Sequence, residues 1–272
     1  MGKQEANDAD LYRRIMSFTW YIDAAGIGKD GKKTDSTFTG FSVEKGLIMT
    51  CAHGLVDMVQ NLQIRARRLS EGDGELGFQY KVELGDRFRK VVLVDMAPER
   101  DLALLKLVEF DKTLAVAEFG DGELQVGQKV VHVGNSERVF HASYLTGNVA
   151  FRCTNDVILP TDDKKCCDYD ITASDKTLGY RIFGHIYNRR YDWEAKAKDD
   201  DDDLTKNMHP LVPIIQINRM QGGRGCSGGP LCDTQGRVVG LMFRRETYLI
   251  AIHVSMLGEF LRRQFHNSDA CR

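Results

Sequence analysis

Short apolar runs, each broken by Gly, Asp or Asn before it can complete a long helix, most limit what this chain can fold into. Thr37–Val43, Gly46–Cys51, Gln79–Leu84, Lys90–Val94 and Leu102–Leu107 read as strands, preceded by another at Ser17–Asp23. A second set follows at Lys129–Val133, Tyr144–Phe151, Ile214–Asn218, Pro230–Cys232, Arg237–Phe243 and Thr247–His253. Many short strands with frequent turn glycines and little sustained 3.6-residue period describe an all-β chain, built as a sandwich or as barrels. Only Val254–Phe265 has helical spacing, with Leu257, Phe260 and Leu261 on one face and Arg262 and Arg263 near its end. A docked terminal helix is expected there.

The Gly- and acid-rich stretch Glu118–Gly127 separates the two strand sets and is expected to connect two units, over 15–117 and 118–272. Residues 152–209 interrupt the second set with polar sequence, the adjacent pair Cys166 and Cys167, and the block Asp199–Asp203. Five consecutive like charges repel one another and stay solvated. The block lacks the alternating ligands and turn glycine of a calcium loop, so no metal site is expected. Lys and Arg number 37 against 39 Asp and Glu, and removing that acidic block turns the formal charge from −2 to +3. Neither value supplies the basic excess that nucleic-acid binding draws on.

With 42% hydrophobic and 28% charged residues, a chain of 272 residues is an ordinary globular sequence, long enough to bury a sizeable core. The opening MGKQEANDADLYRR has no apolar signal core and carries acids that a transit peptide avoids. Ala6 stands where N-myristoylation needs Ser or Thr, and no apolar run reaches the roughly 18 residues that span a bilayer. The seven cysteines are odd in number. Together these point to an intracellular protein, cytoplasmic or nuclear, with reduced thiols and no membrane partner.

Three segments carry chemistry. IMTCAHG (Ile48–Gly54) delivers His53 from an apolar strand end into a turn; DLALLKL (Asp101–Leu107) puts a carboxylate at the head of a strand; GCSGGPL (Gly225–Leu231) sets Ser227 among glycines. A hydroxyl is a poor nucleophile at neutral pH and needs an adjacent base, which an imidazole supplies when a carboxylate fixes its tautomer. Asp57 and Asp95 compete for that carboxylate role, but Asp95 lies inside an apolar run and Asp57 four residues past the histidine, which favours Asp101. Glycines around Ser227 free amide N–H groups to converge, and Gly225 and Ser227, if they donate to one spot, form an oxyanion hole.

In the chain order His, Asp, Ser, the segments TCAHG, DLALLKL and GCSGGPL resemble a trypsin-like (chymotrypsin-fold) serine protease. TGFSVEKGLIMTCAH and VVHVGNSERVFHASYLTGNVA resemble stretches of the Deg/HtrA-type protease domain, and the likeness covers about residues 15–265 outside 152–209. The resemblance implies two perpendicular six-stranded β-barrels with a cleft between them and a C-terminal helix. It further implies His53 as general base and acid, Asp101 as its orienting carboxylate, Ser227 as nucleophile, a protein or peptide substrate, and no metal or organic cofactor.

The chain also departs from that family. Cys226 stands where the family carries Asp or Asn, and no R/K-IVGG activation site is present. Cys226 is therefore a rival nucleophile, although the Gly-Gly-Pro register favours Ser227; it is otherwise a candidate redox modulator or a small buried thiol. By analogy the specificity pocket has Gln221 at its floor and Phe243, Arg244 and Arg245 along its wall. Without an acid at the floor, a preference for Lys or Arg is not expected. Arg224, Arg244 and Arg245 either favour an acidic or C-terminal group or are plain surface charges. Most Deg-type proteases continue into a PDZ module, which is not expected here after the C-terminal helix. The alternative reading is a catalytically weak or inactive protease-like binding or regulatory protein.

Overall fold

The computed structural model of the chain describes residues 7–71, 88–110, 112–136, 140–152, 165–166, 169–171, 177–182, 185–190, 212–244 and 249–269. The strand expected at Gln79–Leu84, the Asp199–Asp203 block, Cys167 and Arg245 lie outside these residues.

The first element is a helix, α1 (Asp8–Phe18), so helical spacing is not confined to the C-terminal segment as expected. Asn7 caps it by accepting the Ala9 N–H at 3.1 Å, and Asp8 and Asp10 oppose the positive end of the helix dipole. Leu11, Ile15 and Phe18 fall on one stripe and are buried. The strand expected from Ser17 therefore begins at Thr19, whose hydroxyl donates back to the Ile15 carbonyl at 2.7 Å.

Six strands follow: β1 (Thr19–Gly28), β2 (Lys33–Glu44), β3 (Leu47–Thr50), β4 (Met58–Arg68), β5 (Arg89–Ala97) and β6 (Leu102–Leu107). They close an antiparallel barrel in the order β1-β2-β3-β6-β5-β4. β4 was not among the expected strands; its burial does not alternate cleanly, because register shifts at Ala25/Ile27 and Ile27/Gly28 break its pairing with β1.

β7 (Lys129–Ser136) and β8 (Phe140–Arg152) open a second barrel. Within the insertion, β9 (Lys165–Cys166), β10 (Tyr169–Ile171), β11 (Thr177–Ile182) and β12 (His185–Arg190) form a small antiparallel sheet that the polar sequence did not announce. The second barrel resumes with β13 (Ile214–Asn218), β14 (Pro230–Cys232), β15 (Val238–Arg244) and β16 (Leu249–His253). Its closed order is β13-β16-β15-β14-β7-β8. Helix α2 (Val254–Asp269) ends the described chain, running past the expected 265.

The core is one hydrophobic cluster running from Trp20, Phe38, Phe41 and Leu104 of the first barrel to Val131, Leu241 and Ile252 of the second and Leu257 and Phe260 of α2. A second cluster, including Val130, Val149, Ile215 and Met242, fills the rest of the second barrel. α1 also bridges the barrels. Asp8 receives Lys129 Nζ and the Tyr144 hydroxyl, each at 3.0 Å, and Arg14 meets Glu118 at 2.8 Å. Such exposed pairs contribute little one by one. Burial, then the Asp8 carboxylate, push the Tyr144 phenol up to about 12, so it remains a donor.

His132 on β7 is fully buried, and its Nδ1 lies 2.8 Å from the Pro230 carbonyl. A carbonyl only accepts, so Nδ1 carries a proton. Nε2 has no partner among the described residues. Burial holds the pKa down at about 4. The unfolded chain binds this proton near 6.5 and the folded chain only near 4, so stability falls as pH drops through that window. The loss reaches about 3 kcal/mol, at roughly 1.36 kcal/mol per pKa unit. Urea unfolding of the wild type and His132→Leu at pH 7 and pH 4.5 checks this: the variant should lose less stability on acidification, and equal losses contradict it.

Candidate active site

His53 is carried past the end of β3 by the turn Cys51–Gly54, and Asp101 stands immediately before β6. β3 and β6 are hydrogen-bonded neighbours with Thr50 opposite Ala103, so the two turns emerge side by side. Asp101 closes a 3₁₀ turn over Pro98–Arg100 in the left-handed region (φ 53°, ψ 38°), which Asp tolerates better than most side chains. Arg100 beside it is held at 3.0 Å by Glu259 of α2, so the C-terminal helix braces the turn.

From that position the carboxylate grips the histidine twice. Oδ1 accepts the His53 backbone N–H at 2.7 Å, and Oδ2 lies 2.8 Å from Nδ1. An ionised carboxylate only accepts, which puts a proton on Nδ1, so that in the neutral ring Nε2 is the free base. The Asp101 side chain is 6% exposed and that of His53 19%. Burial alone pushes the imidazole down, but the Asp101 carboxylate, followed by the Cys51 sulfur, outweighs it and holds the pKa well above the ordinary histidine value. Phe243 of β15 meets the ring edge-on at 5.8 Å.

Ser227 lies in the tight segment between β13 and β14, with Gly225 (φ 99°) and Gly228 (φ 80°) both in the left-handed region. A side chain on Gly228 would overlap the Thr39 carbonyl and Thr50 hydroxyl of the first barrel and sit 2.8 Å from the Cys51 amide, two residues before His53. Glycine there lets the serine turn press directly against the strand that leads to the histidine. The Ser227 carbonyl accepts the Thr39 N–H at 2.9 Å, and the Gly228 N–H donates to Met242 at 2.8 Å. His53 and Asp101 are thus in contact and Ser227 is in the adjoining turn; no hydrogen bond joins Ser227 Oγ to the imidazole.

Cys226 is fully buried, and its sulfur lies beside Gly222 and Leu249 of the second barrel. Gln221 and Arg224 are exposed, while Phe243 is buried against His53. Arg244 closes β15 opposite Leu249, and Arg245 lies outside the described residues. Asp57 is exposed and Asp95 sits within β5; it is Asp101 that reaches His53. Among the described residues no group of three or more His, Cys, Asp or Glu is arranged to hold a metal ion, and no helix is long and apolar enough to cross a membrane. The sequence reading missed Thr39, Thr50 and Asn135, buried polar residues between the barrels. Two threonines and an asparagine within strands carry no signal of what they will face.

Two closed six-stranded antiparallel barrels, with an imidazole–carboxylate pair on one and a glycine-flanked serine on the other, define a chymotrypsin-like fold of the peptidase type. The model of the trypsin-like peptidase domain matches residues 38–241, and the chain belongs to that family. No curated protein gives a significant match.

If Asp101 holds the His53 proton, removing its charge must release it. In Asp101→Asn the histidine ring should titrate at lower pH than in the wild type, as followed by NMR of the ring carbons. An unchanged titration contradicts the assignment.

Proposed function

We propose that the protein is a serine endopeptidase that hydrolyses protein or peptide substrates through an acyl-enzyme on Ser227. The observation that carries this reading is the double grip of Asp101 on His53, at 2.7 and 2.8 Å, beside the Ser227 turn. With Nδ1–H engaged by Asp101, Nε2 takes the Ser227 hydroxyl proton as Oγ attacks the scissile carbonyl. The Gly225 and Ser227 amides stabilise the oxygen that becomes negative, and the imidazolium returns its proton to the leaving amine. Water then repeats the sequence on the acyl-enzyme. The Oγ–Nε2 hydrogen bond forms as substrate closes the site, as apo enzymes often require. Because the Asp101 carboxylate outweighs burial and raises the His53 pKa, the neutral base forms at higher pH than for an ordinary histidine, and activity rises with pH as the ring loses its proton.

The Gly-Gly-Pro register favours Ser227 over Cys226 as the nucleophile, and the Cys226 sulfur is fully buried against Gly222. The same burial denies a solution oxidant direct access, which weighs against Cys226 as a redox modulator. The Deg/HtrA-type resemblance refines the reading to that branch of the family, with the units 15–117 and 118–272 contributing the His53–Asp101 pair and Ser227 respectively. Gln221 in place of an acid argues against a preference for Lys or Arg. The free, buried thiols Cys51 and Cys232 suit a reducing compartment.

A fluorophosphonate probe tests the proposal. The wild type and Cys226→Ala should label and Ser227→Ala should not, while His53→Ala should cut peptide hydrolysis by at least about 10⁴-fold. A folded wild type that neither labels nor cleaves favours the protease-like binding protein instead. Labelling that survives Ser227→Ala and is lost in Cys226→Ala would make the cysteine the nucleophile.

A further inference from the structure

The two amides assigned to the developing oxyanion, those of Gly225 and Ser227, flank the peptide unit between Gly225 and Cys226. Its orientation decides whether they converge. A glycine at φ 99° has wide backbone freedom, so the local chain alone does not fix that peptide. It is tied at both ends: the Cys226 N–H donates to the Gly223 carbonyl at 3.2 Å, and the Gly225 carbonyl accepts the Thr39 hydroxyl at 2.6 Å. Thr39 lies on β2 of the other barrel, 186 residues away in sequence.

The Thr39 hydroxyl has a defined direction. Its oxygen accepts the backbone N–H of Asn135 at 3.1 Å, so its single proton is left for Gly225. The backbone of the same residue donates to the Ser227 carbonyl at 2.9 Å, and its own carbonyl is held by the Thr50 hydroxyl at 2.7 Å. One fully buried side chain and its amide therefore hold the carbonyls of both residues whose N–H groups must converge. We infer that Thr39 is a positioning residue of the oxyanion site, supplied by the first barrel to a turn of the second. The inference rests on the peptidase reading above. Thr39 touches neither substrate nor reacting atoms; it acts through the Gly225–Cys226 peptide.

The experiment compares Thr39→Val, Thr39→Cys and Thr39→Ser in the full chain. Active sites are counted by fluorophosphonate titration, and kcat and KM are measured on a peptide ester. Valine keeps the branched shape and removes the donor. It should lower kcat by about 10- to 100-fold, short of the roughly 100- to 1000-fold for deleting an oxyanion donor outright, with KM within about threefold. Serine should restore kcat to within about threefold, and cysteine, a weak donor, should fall between. A general packing role instead predicts that Thr39→Ser, which loses the methyl, suffers as much as Thr39→Val. An unchanged kcat in Thr39→Val, or a loss that serine does not rescue, overturns the assignment. Should Thr39→Val fail to fold, Thr39→Cys decides: a kcat equal to that of Thr39→Ser overturns it. A wild type inert to the fluorophosphonate sinks the peptidase reading and this assignment together, whereas a reactive wild type with an unaffected Thr39→Val sinks this assignment alone.

Discussion

At Gly228 the backbone of one barrel lies against the backbone and hydroxyl groups of the other, in space that even a methyl group would invade. The placing of the serine turn beside the histidine turn depends on that approach. It brings the serine turn against Thr50 and Cys51, at the foot of the histidine turn, and lets Thr39 exchange hydrogen bonds with Gly225, Ser227 and Asn135. Polar groups sealed between barrels are costly unless paired, and here the Thr39 N–H and hydroxyl are matched across the seam and its carbonyl by Thr50 of the same barrel. The contact is thus held by directional bonds as well as by the apolar cluster that continues from Phe38 and Phe41 through Val131 and Leu241.

The two halves of the site are fixed by different means. His53 and Asp101 come from neighbouring antiparallel strands of one barrel, so ladder register alone sets them face to face. Glu259 adds a brace through Arg100, bringing the C-terminal helix into the support of the carboxylate. Ser227 instead depends on a turn with two left-handed glycines, whose conformation is underdetermined locally and completed by partners distant in sequence.

This difference explains what was legible in the sequence. The His53, Asp101 and Ser227 motifs are each local, a strand end and its flanking turn, and short motifs survive without knowledge of pairing. Barrel strands with unbroken apolar runs, such as Leu102–Leu107, were equally readable. β4 was not, because its ladder to β1 shifts register and because Arg67, on the face opposite Ile64 and Ala66, is nonetheless buried against Tyr21 and Phe88. α1 does carry a readable trace, Leu11, Ile15 and Phe18 behind the Asn7 cap, but three apolar positions among charges are a thin stripe. Thr39, Asn135 and His132 left no usable signal, since a threonine, asparagine or histidine in a strand does not disclose what it will face across an interface.

The span of the Thr39–Gly225 bond also bears on how such a protein is made. Synthesis proceeds from the N-terminus, and domains tend to fold as units in that order. The first barrel, with His53 and Asp101 already paired, emerges from the ribosome long before residue 225 is translated. Until the second barrel closes and docks, the growing chain holds the His53–Asp101 pair without the Ser227 turn, and that turn, once made, still lacks its anchor. Dividing the site between the two ends of the polypeptide delays its completion until the whole has assembled.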